Sequence, residues 1–194
     1  MAVIFCRHGE TYFNLDDKFQ GVSNSPLTQK GIDQAKNLGK FLAENFQIKN
    51  FYLSPAMRVI QTYEIVNENI HASNTIDYRL REVCYGDWEA KKRSEVNSDL
   101  LKLRESQRFT FKHPGEYDGI QGESYSEVYN RVKPLLEEII KNNEDICVIA
   151  HHGILIATIK FLSNNNDEEM NSLRIANDEI IVFDNSKYVL RKLV

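Results

Sequence analysis

Val3-Ile4-Phe5-Cys6-Arg7-His8-Gly9-Glu10-Thr11 sets a short apolar run directly before an arginine and a histidine. Such a run reads as a buried strand. Arg7 and His8 then fall at its carboxyl end, where open α/β sheets place their ligands. A neutral imidazole is a nucleophile, and a guanidinium offers a fork that matches phosphate oxygens. His8 is therefore the candidate to accept a phosphoryl group, and the rest of the chain has to supply the other half of the site.

Two more stretches repeat the arrangement of strand, polar turn and helix. Phe51-Tyr52-Leu53 ends at Ser54-Pro55, with Pro55 expected in the first turn of a helix carrying Arg58, Val59, Tyr63 and Val66. Ile146 to Ala150 is a continuous apolar run interrupted only by Cys147, which predicts a central strand. It meets His151-His152-Gly153 before an apolar helix from Ile154 to Leu162.

Between these lie a loop from Thr11 to Pro26 and a helix after Thr28, its cap, with Ile32, Ala35, Leu38, Leu42 and Phe46 at helical spacing. A short strand is expected to begin at Ile76, a helix to cover Lys92 to Arg108, and a loop to hold Pro114, Gly115, Gly119 and Gly122. Glu123 to Lys141 reads as a helix, Asn164-Asn165-Asn166 as a loop, and Ile180 to Phe183 with Tyr188 to Leu190 as two strands joined by a turn. The alternation predicts an α/β/α sandwich in three layers. Its sheet is mostly parallel with an antiparallel edge, and a small cap of helix and loop, about residues 88 to 122, covers the carboxyl ends of the strands.

With 194 residues, 42% of them apolar, the chain is expected to form a single domain, 1 to 194, with the cap inserted. Lys and Arg total 24 against 28 Asp and Glu, a formal charge of -4, so the global field favours neither nucleic acid nor an anionic membrane. Any anion site has to be built locally. No basic leader or long apolar span is evident, and a cytoplasmic protein, monomeric or homodimeric, is the expectation. Cys6, Cys84 and Cys147 are odd in number and lack CxxC spacing, which argues against a disulfide framework or a zinc site; they read as packing residues.

If the three strands are parallel neighbours, Arg7, His8, Ser54, Arg58, His151 and His152 converge on one sheet edge. Arg7 and Arg58 would grip the equatorial oxygens while His8 attacks phosphorus. A neutral His152 would donate to the same oxygens, and backbone N–H groups near Gly153 would face the anion. The leaving alkoxide needs a proton, for which Glu82 is one carboxyl among several, Glu89 and Glu123 being close competitors.

Arg7-His8-Gly9-Glu10-Thr11 with Asn14, Gln20-Gly21, Ser25-Pro26-Leu27-Thr28, Ser54-Pro55 with Arg58, Leu80 with Glu82, Tyr85-Gly86-Asp87-Trp88-Glu89, Gly122-Glu123-Ser124 and His152-Gly153 occur in this order. In that respect the chain resembles the histidine phosphatase superfamily, whose branches include cofactor-dependent phosphoglycerate mutases and many small-molecule phosphatases. The resemblance implies that His8 is phosphorylated, that Arg7, Arg58 and His152 complete the phosphate pocket, and that Glu82 donates the proton. It also places Asn14, Gln20, Gly21, Thr28, Tyr85, His151 and Gly153 around phosphate or substrate. Neither a metal nor an organic cofactor is implied.

Two departures stand out: His151 occupies the position before the matched His152, and Ala157 stands where several phosphatases of the family carry an arginine. Phosphomonoester hydrolysis of a small metabolite is the leading expectation, since family mutases tend to be longer in the segment after Glu82. A phosphoglycerate mutase, with a bisphosphoglycerate primer, is the alternative, and an inactive phospho-ligand binder the third. His71 and His113 read as surface or structural residues, and Trp88 as core. The basic residues of the cap, Lys91, Lys92, Arg93, Arg104, Arg108 and Lys112, read either as a solvated face or as contacts for an acidic substrate.

Overall fold

A computed structural model describes residues 1–163 and 165–193. Six strands form one sheet: β1 (Ala2–Arg7), β2 (Asn50–Leu53), β3 (Ser73–Ile76), β6 (Ile146–Ala150), β7 (Glu179–Asp184) and β8 (Lys187–Lys192), in the order β3-β2-β6-β1-β7-β8. The first four run parallel, and β7 and β8 are antiparallel to their neighbours. The register sets Arg7 opposite Ala150 and Leu53 opposite Ile149, so β1, β2 and β6 end together.

Alternation along β1 explains the layers. Val3 and Phe5 join Val128, Val132, Leu135 and Leu155 of helices α5 (Tyr125–Ile139) and α6 (His152–Ser163). Ile4 and Cys6 join Ala35, Leu38, Leu42 and Val59 of α2 (Gln29–Asn45) and α3 (Met57–Asn67) on the other face. A strand buried on both faces has to be apolar at every position. This is why Ile146 to Ala150 reads as an unbroken run. The predicted sandwich, with its mostly parallel sheet and antiparallel edge, is the observed architecture.

The differences are local. The stretch after Thr11 holds a single-turn helix, α1 (Tyr12–Leu15), closed by a capping box between Thr11 and Asn14. Pro55 precedes α3, whose cap is Ala56, and β3 ends at Ile76 where a strand was expected to begin. Of Lys92 to Arg108 only Ser98–Ser106 is α-helical (α4), and the following loop contains a miniature hairpin, β4 (Glu116–Tyr117) with β5 (Ile120–Gln121). Of the expected loop at 164 to 166, Asn164 lies outside the described residues; Asn166 caps a further short helix, α7 (Asp167–Ser172). No described helix is long and apolar enough to cross a membrane.

The loop after β1 is pressed against the first turn of α2. A Cβ on Gly9 would sit 2.4 Å from the Gly31 carbonyl oxygen, and one on Gly31 2.1 Å from that of Glu10. Both positions therefore require glycine, and their closeness leaves the segment carrying His8 no room to shift.

Candidate active site

His8 is 3% exposed and its backbone is tied down from three directions. Its N–H donates to Ala150 O at 3.1 Å, its carbonyl accepts from Asn177 Nδ2 at 2.7 Å, and the next N–H donates to Thr62 Oγ1 at 3.1 Å. The imidazole Nδ1 lies 2.8 Å from Gly9 O, a pure acceptor, so the proton resides on Nδ1. Nε2 then carries the lone pair, and it accepts from Arg58 Nε at 3.2 Å. Burial, reinforced by the charges of Arg58 and Arg7, pushes the His8 pKa well below the ordinary histidine value. The ring is thus neutral near pH 7, the state in which it is a nucleophile.

Arg58 is fully buried, and all three of its nitrogens are engaged. Besides His8 it donates to Gly21 O at 2.8 Å, Ser23 O at 3.0 Å, Asn24 Oδ1 at 3.3 Å and His151 Nδ1 at 3.0 Å. Burial lowers its pKa to about 10, with Glu82 and Glu89 opposing, and it remains cationic at neutral pH. The loop that receives it is itself held by Glu89. That buried carboxylate accepts the N–H groups of Gly21, Val22, Ser23 and Tyr85 and the Ser23 hydroxyl.

The three competing carboxyls separate on this evidence. Glu89 is consumed by five donors, and Glu123 by Arg81, Arg131 and the Cys84 N–H. Glu82 alone of the three lines the open cavity of about 500 Å³ beside Arg7 and His8. It accepts only backbone N–H groups, from Val83 at 2.9 Å and Gly153 at 3.1 Å. Burial raises its pKa against the pull of those donors and of Arg58 and Arg7, which favours the protonated form a general acid requires.

The two adjacent histidines take different places. The match at His152-Gly153 implied that His152 helps to form the phosphate pocket, and it is His151 whose ring packs edge-on against His8, with centroids 5.3 Å apart. Because Arg58 only donates, His151 Nδ1 accepts, and its Nε2–H donates to Ser54 Oγ at 2.7 Å. His152 stands on the cavity wall, its Nδ1 3.3 Å from Arg108. Burial, followed by the arginine charges, drives both pKa values well below the ordinary value, so both rings are neutral.

Asn14, Gln20 and Tyr85 line the cavity, as does Arg7. Two expected ligand contacts are spent elsewhere. Thr28 caps α2 through Gly31 N and donates to Glu10, and the Gly153 N–H points at Glu82 and not at an anion. Gly21 contributes its carbonyl to Arg58. Ser23 and Asn177 were not singled out by sequence reasoning as parts of the site; Glu89 was named there only as a competing carboxyl. Arg104 and Arg108, read from sequence either as a solvated face or as contacts for an acidic substrate, are 1% and 6% exposed and line the cavity. His113 is buried and His71 exposed; Trp88 is core. No group of three or more metal-ligating side chains is found among the described residues.

A family model described as histidine phosphatase superfamily (branch 1) matches residues 3–193. Among curated relatives, a probable phosphoglycerate mutase of Erwinia tasmaniensis is 31% identical over 88% of this chain and 80% of its own length. A phosphoserine phosphatase of Hydrogenobacter thermophilus is 30% identical over 78% of this chain and 71% of its own. Among solved structures, a mycobacterial glucosyl-3-phosphoglycerate phosphatase superposes with a TM-score of 0.84 over 98% of this chain and 97% of that one, at 23% identity, a likeness of fold.

Proposed function

The chain belongs to the histidine phosphatase superfamily, and from that premise we propose that it hydrolyses the phosphomonoester of a small metabolite in two steps through His8. In the first, His8 Nε2 forms a bond to phosphorus as the P–O bond to the leaving group breaks, and Glu82 gives its proton to the departing oxygen. In the second, water attacks phosphorus, Glu82 takes back a proton, and the N–P bond breaks to free His8 and inorganic phosphate. Arg58 Nε, which donates to Nε2, turns to the phosphoryl oxygens together with Arg7. His151 holds Arg58 from behind. The observation that carries this reading is the neutral His8 with its lone pair on Nε2, set between two guanidiniums and next to a buried carboxyl biased toward protonation. The residues present balance every bond and proton, so the mechanism calls for no metal or organic cofactor. A small phosphorylated molecule is the partner, in a cytoplasmic monomer or homodimer, and the formal charge of -4 disfavours nucleic acid.

A second reading, phosphoglycerate mutase, is favoured by the relative from Erwinia tasmaniensis. There the phosphoryl group returns to bound glycerate, started by a bisphosphoglycerate primer, and the pocket has to exclude water. The cap here is small, with one nine-residue helix and a two-strand miniature hairpin, and the cavity beneath it stays open. Hydrolysis is therefore the better fit. Incubation with 3-phosphoglycerate and a panel of phosphomonoesters, without primer, should give inorganic phosphate as the main product and acid-labile phosphate on the protein that is absent in His8→Ala. Interconversion of phosphoglycerates greatly outrunning phosphate release would establish the mutase. Normal turnover by His8→Ala would overturn both.

A further inference from the structure

Arg7 aside, which has a single contact to Ile175 O at 3.4 Å and is assigned to the first phosphate, Arg108 is the cationic side chain in the cavity whose charge is least accounted for. It is 6% exposed, yet no carboxylate lies within salt-bridge distance of it among the described residues. Its contacts are neutral and long: Leu173 O at 3.2 Å, His152 Nδ1 at 3.3 Å and Tyr125 Oη at 3.4 Å, while Nε has no partner. The neighbouring cations are settled differently, because Glu105 bridges Arg93, Arg104 and Arg174. A buried guanidinium faced only by neutral acceptors is poorly compensated for the water it has lost. Such a group is completed by an anion.

Tyr125 shows the same bias. Burial would raise its pKa, but the adjoining charges of Arg108 and Arg104 outweigh this and lower it. The cavity wall as a whole carries six cationic side chains against three carboxylates, an excess that persists beyond the guanidinium of Arg7. Three of the six, Arg93, Arg104 and Arg108, come from the cap.

Resting on the phosphomonoesterase reading, we propose that Arg108, steadied by Tyr125 and His152, is a second anion subsite that selects phosphomonoesters bearing a further anionic group, a carboxylate or a second phosphate. The first phosphate is held by Arg7, Arg58 and His8, and the additional anion reaches across the cavity to the Arg108 fork, replacing weak neutral contacts with charge-assisted ones. Specificity then comes from the cap, while the chemistry stays at the sheet edge.

Three matched substrates separate the possibilities: glycerol 3-phosphate, 3-phosphoglycerate, in which a carboxylate replaces the terminal hydroxymethyl, and glycerol 1,3-bisphosphate. In the wild-type enzyme kcat/KM for phosphate release should be at least ~10-fold higher for one or both anion-bearing substrates than for glycerol 3-phosphate, the scale of one charge-assisted hydrogen bond. The arm with the larger ratio identifies the second anion. In Arg108→Gln that ratio should fall to within about 2-fold of unity, and Arg108→Lys should recover part of it. Each ratio is taken within one protein, so a general loss of activity cancels. A wild-type ratio near one, or a ratio unchanged in Arg108→Gln, overturns the subsite. If none of the three releases phosphate, the phosphomonoesterase reading fails, and the same ratios measured as Kd by calorimetry still decide for or against Arg108.

Discussion

Glu89→Gln should disable catalysis without touching any atom that meets substrate. The carboxylate presents one oxygen to Gly21 N, Ser23 N and Ser23 Oγ and the other to Val22 N and Tyr85 N. An amide keeps one acceptor oxygen and turns an NH₂ toward donors. In its better orientation it retains three of these bonds and leaves two backbone N–H groups facing another donor. Each unsatisfied buried donor costs about 1 to 3 kcal/mol, so the expected loss of stability is roughly 2 to 6 kcal/mol. The same loop offers Gly21 O and Ser23 O to Arg58, which in turn rests on His8. A displacement of about 1 Å at that guanidinium predicts a fall in kcat of about 10²-fold. Urea denaturation gives the first quantity and steady-state turnover, at a temperature where the variant is fully folded, gives the second. A variant as stable as the wild type, or one destabilised but with unchanged kcat, would refute the chain of support from Glu89 through the loop to Arg58.

Glu82→Gln should lose roughly 10²- to 10⁴-fold in rate on an alkyl phosphate and far less on an aryl phosphate whose leaving oxygen needs no proton; equal losses would point to positioning instead of proton transfer. His151→Ala should reduce turnover on every phosphomonoester more than His152→Ala does, because His151 contacts both His8 and Arg58; the reverse order would return the inner role to His152. The histidines at positions 8, 151 and 152 have folded pKa values depressed well below 6.5, so the unfolded chain binds more protons and stability falls as pH drops below about 6.5. Between pH 7.5 and 5.5 the loss is on the order of 1 kcal/mol for each histidine, and a pH-independent melting temperature over that range would contradict their neutral burial.

Much of this was legible because the parallel strands are buried on both faces and therefore announce themselves as apolar runs, each ending in the polar residues of the site. Arg7, His8 and Arg58 followed directly. The choice between His151 and His152 did not, since successive side chains at a strand end point to opposite sides and a neighbouring glycine says nothing about which side faces His8. Glu82 could not be told from Glu89 and Glu123 because what distinguishes them is the donors that meet each carboxyl, which for Glu89 include residues 66 to 68 positions away. For Arg104 and Arg108 a solvated helix face and a contact for an acidic substrate could not be told apart. The helix in fact stops at Ser106, and the following turn carries Arg108 inward toward Tyr125. The helices α1 and α7, of four and six residues, are too short to display a period.

The strand order places β6 between β1 and β2, although it is made of residues 146 to 150. During synthesis, then, the first two strands emerge with the slot between them vacant, and they have no direct pairing to each other with which to wait. The sheet closes only when Ile146 to Ala150 arrives, bringing with it the histidine that packs on His8 and the carbonyl that receives the His8 N–H. Non-local pairing of this kind is slow to form and leaves strand edges open meanwhile. A nascent chain stalled before residue 146 would expose two apolar edges to its neighbours and to chaperones, so protein quality control during translation bears most heavily on the same strand that completes the catalytic centre.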